Sequence, residues 1–161
     1  MKTACHRLPL AVLLFVTLTA LISAHAQITP SQDAYTDTSK PTINFGAATT
    51  LGVANTAPSI QFDLSSIPAG YTGANIAKAT LKLYVNSATT AGSFNVDVVN
   101  GTWSEKTITN NLAPALGTTI VSGVPLTTAS KNSYVVVDIT AALQSWLNGA
   151  EANDGIALVA N

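Results

Sequence analysis

The sequence predicts an all-β fold, a β-sandwich of jelly-roll type with one short helix near residues 140–148. Three observations predict it. Apolar side chains recur with period two in short runs, the pattern of strands that bury one face. Turn clusters rich in Pro, Gly, Ser and Asn separate those runs about every ten residues, as in sandwiches and jelly rolls. One segment near the C-terminus switches to helical spacing.

The chain opens with a segment outside that pattern. Lys2 and Arg7 precede the apolar run LPLAVLLFVTLTALIS, and Ala24-His25-Ala26 supplies small residues around a cleavage point. Residues 1–26 therefore read as a secretory signal peptide. The apolar run is too short to span a bilayer, which takes about 20 residues. Residues 27–161 are expected to form a single domain.

The strands follow in order. AYTDT comes first, then the turn cluster SKPTINFG and a short candidate, TTLGVAN. SIQFDL sets Ile60, Phe62 and Leu64 on one side. IAKATLKLYVN is the clearest case: Ala77, Ala79, Leu81, Leu83 and Val85 share one face, and Lys78, Thr80, Lys82 and Tyr84 the other. SFNVDVVN aligns Phe94, Val96 and Val98, and TTIVSGV, SYVVVDIT and GIALVA complete the set. ITAALQSWLNGAEAND breaks the alternation. Ala142, Leu143, Trp146 and Leu147 fall at helical spacing, with Asp138 or Thr140 to cap the start and Gly149 to close the end. Trp146 is expected to point inward.

Composition after the leader narrows the chemistry. Both histidines, the one cysteine, the one methionine and the one arginine lie within residues 1–26. Five lysines and eight carboxylates remain, a net charge of −3. An arginine-free acidic chain does not suit nucleic acid, which calls for clustered positive charge. Without Cys or His there is no disulfide framework, no Ser/His/Asp or Cys/His nucleophile and no ordinary zinc ligand set. No phosphate loop or dinucleotide fingerprint is present.

Glycoside hydrolysis needs only two carboxylates, about 5 Å or about 6.5–9.5 Å apart. Asp33 and Asp37 on one strand face would stand roughly 13 Å apart, too far to flank one bond. Asp63 and Asp138, beside Ser65 and Thr140 at strand ends, suit local bonds to backbone. Trp103 and Glu105 in GTWSEKTITNN resemble a sugar site at first sight. No second carboxylate is evidently placed to work with Glu105. The segment is therefore expected to be a structural corner, with Trp103 as an anchor and Glu105 bonding the Thr107 backbone. The chain is expected not to be an enzyme. Calcium is the inorganic partner best matched by DAYTDTSK and GAEANDG, with Asp33 and Asp37 as candidate ligands.

Four pieces in order, DAYTDTSKPTINFGAATTLGV, SIQFDLSSIPAGYTGANIAKATLKLYV, GTWSEKTIT and YVVVDITAALQSWLNGAEANDGIAL, resemble the DNRLRE domain, the disaggregatase-related repeat grouped with carbohydrate-binding modules. The resemblance covers nearly all of residues 33–160. It implies a secreted jelly-roll β-sandwich appended to surface or polysaccharide-processing proteins, some relatives binding acidic polysaccharides such as alginate. Asn110 departs from the family, which usually carries a second tryptophan there. Family domains also continue with a further strand, so an open edge that a partner strand could fill is expected.

The expected function is that of a non-catalytic, secreted carbohydrate-binding module at the cell surface or outside the cell. The alternative is a structural or adhesive module. The candidate ligand-binding residues are Tyr84, Lys82 and Lys78, on one strand face, with Tyr71 and Tyr35 as further exposed aromatics. A net charge of −3 opposes an anionic ligand unless lysines cluster or calcium bridges.

Overall fold

The structure is a computed structural model and describes residues 26–161. The expected leader, residues 1–26, lies outside the described residues apart from Ala26. Seven strands and one helix follow: β1 (Pro30–Asp37), β2 (Thr56–Phe62), β3 (Thr80–Val85), β4 (Gly92–Asn100), β5 (Ala115–Leu126), β6 (Ser133–Asp138), α1 (Thr140–Leu147) and β7 (Ile156–Ala160). They form a five-stranded sheet in the order β1-β2-β7-β4-β5 and a two-stranded sheet, β3-β6. Every pairing is antiparallel. The predicted all-β sandwich with one short helix is the observed class.

Alternation explains how the two sheets meet. Ile60, Phe94, Val96, Ile156 and Leu158 of the large sheet are buried against Leu81 and Val137 of the small one. Ile139, Ala142, Leu143 and Trp146 join the same core from the helical segment. On β3, Leu81 is buried and Leu83 and Val85 half-buried, while Thr80, Lys82 and Tyr84 are exposed. The small sheet thus contributes one apolar face and turns the other outward.

The helix begins where its sequence signals place it. The Asp138 carboxylate accepts from the Thr140 backbone N–H at 2.9 Å and from its hydroxyl at 2.6 Å. At the other end Gly149 takes a left-handed φ of 67°. Its N–H donates to Trp146 O, and that of Ala150 to Ser145 O, both at 3.1 Å. That paired arrangement satisfies the last carbonyls of the helix, and glycine adopts it without a Cβ penalty. Trp146 is turned inward, with its ring 6.4 Å from that of Phe62.

One predicted strand is absent. Residues 49–55, TTLGVAN, are loop. Two apolar side chains around Gly52 give little to pair, and the Thr56 hydroxyl bonds the Gly52 carbonyl, a local contact that competes with ladder formation. Leu51 and Val53 instead pack against the core from one end of the sandwich.

Candidate functional site

The register of β3 and β6 builds the most prominent exposed face. Thr80 stands opposite Asp138, Lys82 opposite Val136, and Tyr84 opposite Tyr134. Because alternate residues share a face, all six project from the outer side of the small sheet. Tyr84, Tyr134 and Val136 are 56%, 65% and 55% exposed, unusual for large apolar groups side by side. The two tyrosine rings meet edge to face, 5.2 Å between centroids at 64°. They form a corner rather than a flat shelf, one ring offering its face and the other a wall.

The sequence-predicted residues Tyr84 and Lys82 are brought together here. Lys78, also exposed, lies two positions before Thr80, at the same parity. Its charge helps to hold the Asp138 carboxyl below the usual range, behind the larger effects of the Thr140 hydroxyl and backbone bonds. Tyr134 and Val136 were not among the expected residues. Their signal was the β-branched run of SYVVVD, but strand pairing, which sequence does not give, is what sets Tyr134 beside Tyr84.

Behind this face a cleft of about 530 Å³ opens between the sheets. Leu83, Tyr84 and Val85 line one wall, Phe94 and Leu158 another, and Leu51 and Val53 of the 49–55 loop a third. Asp33, on the edge strand β1, also faces it. Burial pushes the Asp33 carboxyl above its usual range, and the nearby charge of Glu105 adds to that.

Glu105 therefore does have a carboxylate neighbour, contrary to the sequence expectation. Its contact is also different from the one expected. Its carboxylate accepts from the Asp33 N–H at 3.2 Å, while Thr107 N–H goes to Ser104 O at 3.0 Å. The corner is tied elsewhere as well. Gln32 accepts from the Glu105 N–H at 3.1 Å and donates to Trp103 O at 3.0 Å. The Trp103 indole donates to Asp154 O at 2.8 Å, and Asn44 donates to Glu105 O at 2.8 Å. A Cβ on Gly46 would overlap that same carbonyl, so the 44–46 loop lies directly on it. Glu105 thus blunts the exposed edge of β1, and the half-buried Trp103 fastens the corner to the loop before β7.

The two candidate calcium ligands are not brought to one point. Asp33 has Glu105 beside it, whereas Asp37 closes a turn, accepting from the Ser39 hydroxyl at 2.6 Å and N–H at 2.8 Å. These bonds hold Asp37 below its ordinary range, with a smaller contribution from Lys40. In GAEANDG, Glu151 and Asp154 line a second groove, of about 410 Å³, but Asp154 accepts from the Gly101 N–H at 3.0 Å. Among the described residues no three carboxylates gather as a metal cluster.

The remaining aromatics take other parts. Tyr35 stacks on Phe45 at 4.5 Å with the Lys40 ammonium 5.7 Å above the Phe45 ring. Tyr71 stands alone in a turn, 44% exposed. Among the described residues no helix is long and apolar enough to cross a membrane.

The sequence was also compared with known proteins. The model of carbohydrate-binding module family 96 matches residues 24–160. No curated protein matches the chain.

Proposed function

Since the chain belongs to carbohydrate-binding module family 96, we propose that it binds a polysaccharide on the outer face of the β3-β6 sheet. The observation that carries this reading is the Tyr84–Tyr134 corner, exposed on both rings and set by strand register rather than by a loop. A pyranose ring presents C–H faces and a rim of hydroxyls. An aromatic face covers the first, and Lys82, Thr80 and the tyrosine hydroxyls offer bonds to the second. Lys78 extends the surface along the strand. A rigid sheet limits the ordering cost of binding, because side chains with two torsions do most of the contact.

The finer parts of the reading rest on the sequence. They are a secreted, surface-associated module without catalysis, of jelly-roll type, similar to the DNRLRE domain. Calcium bridging an acidic sugar through Asp33 or Asp37 is not favoured, since the two carboxylates are apart and Asp37 is engaged.

The experiment is affinity electrophoresis of the purified protein through a panel of neutral and acidic polysaccharides. Retention by at least one is expected, and Tyr84→Ala and Tyr134→Ala should each weaken it about tenfold, as loss of an aromatic anchor does. Retention that survives both substitutions in a folded protein would move the site elsewhere.

A further inference from the structure

The outer side of the small sheet sets its exposed groups in a line. Tyr84 faces Tyr134, Lys82 faces Val136 and Thr80 faces Asp138, and these rows follow one another along β3 and β6. Lys78 stands one row further, exposed, at the same parity and close enough for its charge to act on the Asp138 carboxylate. From Tyr84 to Lys78 is about 20 Å of extended strand, the reach of about four pyranose units.

What the rows offer changes along that line. The first is aromatic on both strands. The second pairs the Lys82 ammonium with Val136, an aliphatic side chain 55% exposed. A valine so open contributes little to the core, but it can cover the C–H face of a second sugar while Lys82 donates to that sugar's hydroxyls. The remaining rows are polar, with the Thr80 hydroxyl, the Asp138 carboxylate and the Lys78 ammonium. Across the strands there is no such continuity. The rings of Tyr84 and Tyr134 cross at 64°, so one of them stands as a wall against a chain laid from one strand to the other.

The same angle bears on the physical form of the ligand. A crystalline polysaccharide presents a flat face, and aromatic rings that dock on it must share one plane. Two rings at 64° cannot both lie on such a face. The right-handed twist of the strands turns successive rows still further out of a common plane. A single chain in solution rotates about its glycosidic bonds and can follow that twist.

We infer that this face takes a single soluble glycan chain lying along β3, in contact over about four sugar units from the tyrosine corner to Lys78, and does not bind crystalline polysaccharide. The inference rests on the carbohydrate reading of the same face and adds the direction of the chain, its length and its physical form. Each polar row past the corner supplies about one hydrogen bond, worth about threefold in affinity.

The probes are soluble hydroxyethylcellulose, xylan, glucomannan and polygalacturonate, with microcrystalline cellulose and crystalline chitin as flat-faced counterparts. Oligomers of increasing length, from the dimer to the hexamer, are then cut from the soluble polymer that retains the protein and titrated calorimetrically. Affinity should rise about tenfold from dimer to tetramer and stay level beyond it. Lys78→Ala should weaken the tetramer about threefold and leave the dimer unchanged, with no shift in the unfolding midpoint because Lys78 is exposed. Val136→Thr, which keeps the shape, should weaken dimer and tetramer alike. Neither crystalline solid should retain the protein. A dimer bound as tightly as a hexamer, affinity that still climbs from tetramer to hexamer, a Lys78→Ala loss equal for dimer and tetramer, or retention on either solid would each overturn the inference and leave sugar binding standing. Failure of every soluble polymer to retain the protein would remove the carbohydrate reading, and this inference with it.

Discussion

Glu105→Ala and Glu105→Gln separate the two things Glu105 does. In the folded chain its carboxylate receives the Asp33 N–H at 3.2 Å, and its charge raises the Asp33 carboxyl, second to burial. Alanine removes both effects. An amide left without its acceptor in a half-buried place costs about 1–2 kcal/mol. Relief of the like-charge contact returns part of that, for a net loss of about 1 kcal/mol, or about 3–6 °C in Tm for a domain of this size. Glutamine keeps an oxygen acceptor and removes the charge, so stability near pH 7 should be equal to or above that of the parent. The sign is fixed by linkage. A carboxyl whose folded pKa is raised costs stability above that pKa and nothing below its unfolded value. Removing Glu105's charge therefore helps at neutral pH and is silent in acid. Urea unfolding of both variants at neutral and acidic pH checks the ordering. Carbon NMR should show Asp33 in Glu105→Gln titrating lower than in the parent, yet still above the ordinary range because burial persists. A glutamine variant as damaged as the alanine one would refute the edge-capping account. A folded glutamine variant that loses polysaccharide retention would return Glu105 to the binding site.

Three further outcomes follow from the framework. Phe94→Ala, at 1% exposure on β4 of the large sheet, should cost about 3–5 kcal/mol in chemical unfolding. Gly149→Ala meets no neighbouring atom and pays for its left-handed φ of 67° alone, about 1–2 kcal/mol by the same measurement. Asp138 and Asp63 are held below the ordinary carboxylate range chiefly by the hydroxyls of Thr140 and Ser65. Their stabilising contribution is full above the unfolded value near 3.8 and is lost as pH falls through the folded one. The acid-side fall in stability should therefore flatten in Asp138→Asn, and a fall unchanged in slope would count against these caps.

Much of the fold was legible because the residues obey one rule at a time. IAKATLKLYVN alternates cleanly and became β3, and the Asp138, Trp146 and Gly149 signals of the helix each took the part that spacing assigned. TTLGVAN failed because two apolar side chains do not specify a strand when a neighbouring threonine can bond the same backbone. The corner around Glu105 was legible as a corner but not in its contacts. Its partner Asp33 lies 72 positions away, and nothing local reports a contact of that range. The binding face was half legible for the same reason. Period two put Tyr84 with Lys82, but Tyr134 and Val136 join them through a pairing between strands some fifty positions apart.

The local composition of that face also bears on the net charge of −3. Charges on a surface are screened beyond about 8 Å at physiological salt, so a ligand on the β3-β6 sheet responds to what surrounds it there. Two of the five lysines of residues 27–161, Lys78 and Lys82, belong to the β3 side of this face. Asp138 is the acid paired into the same ladder, and its bonds to Thr140 keep it ionised, so these three groups leave the face one positive charge in excess. Asp33 and Glu105 belong to the β1 side of the large sheet, where Asp33 lines the cleft behind the face and not the face itself. The acidic balance of the chain thus does not carry over to the tyrosine corner, and retention on an acidic polysaccharide is compatible with a domain that is acidic as a whole. A salt series distinguishes the two scales. If local lysines govern binding, Lys82→Ala should weaken retention on acidic polysaccharides at low salt and have little effect on neutral ones. If net charge governs it, acidic polysaccharides should be excluded at low salt and gain retention as salt is added.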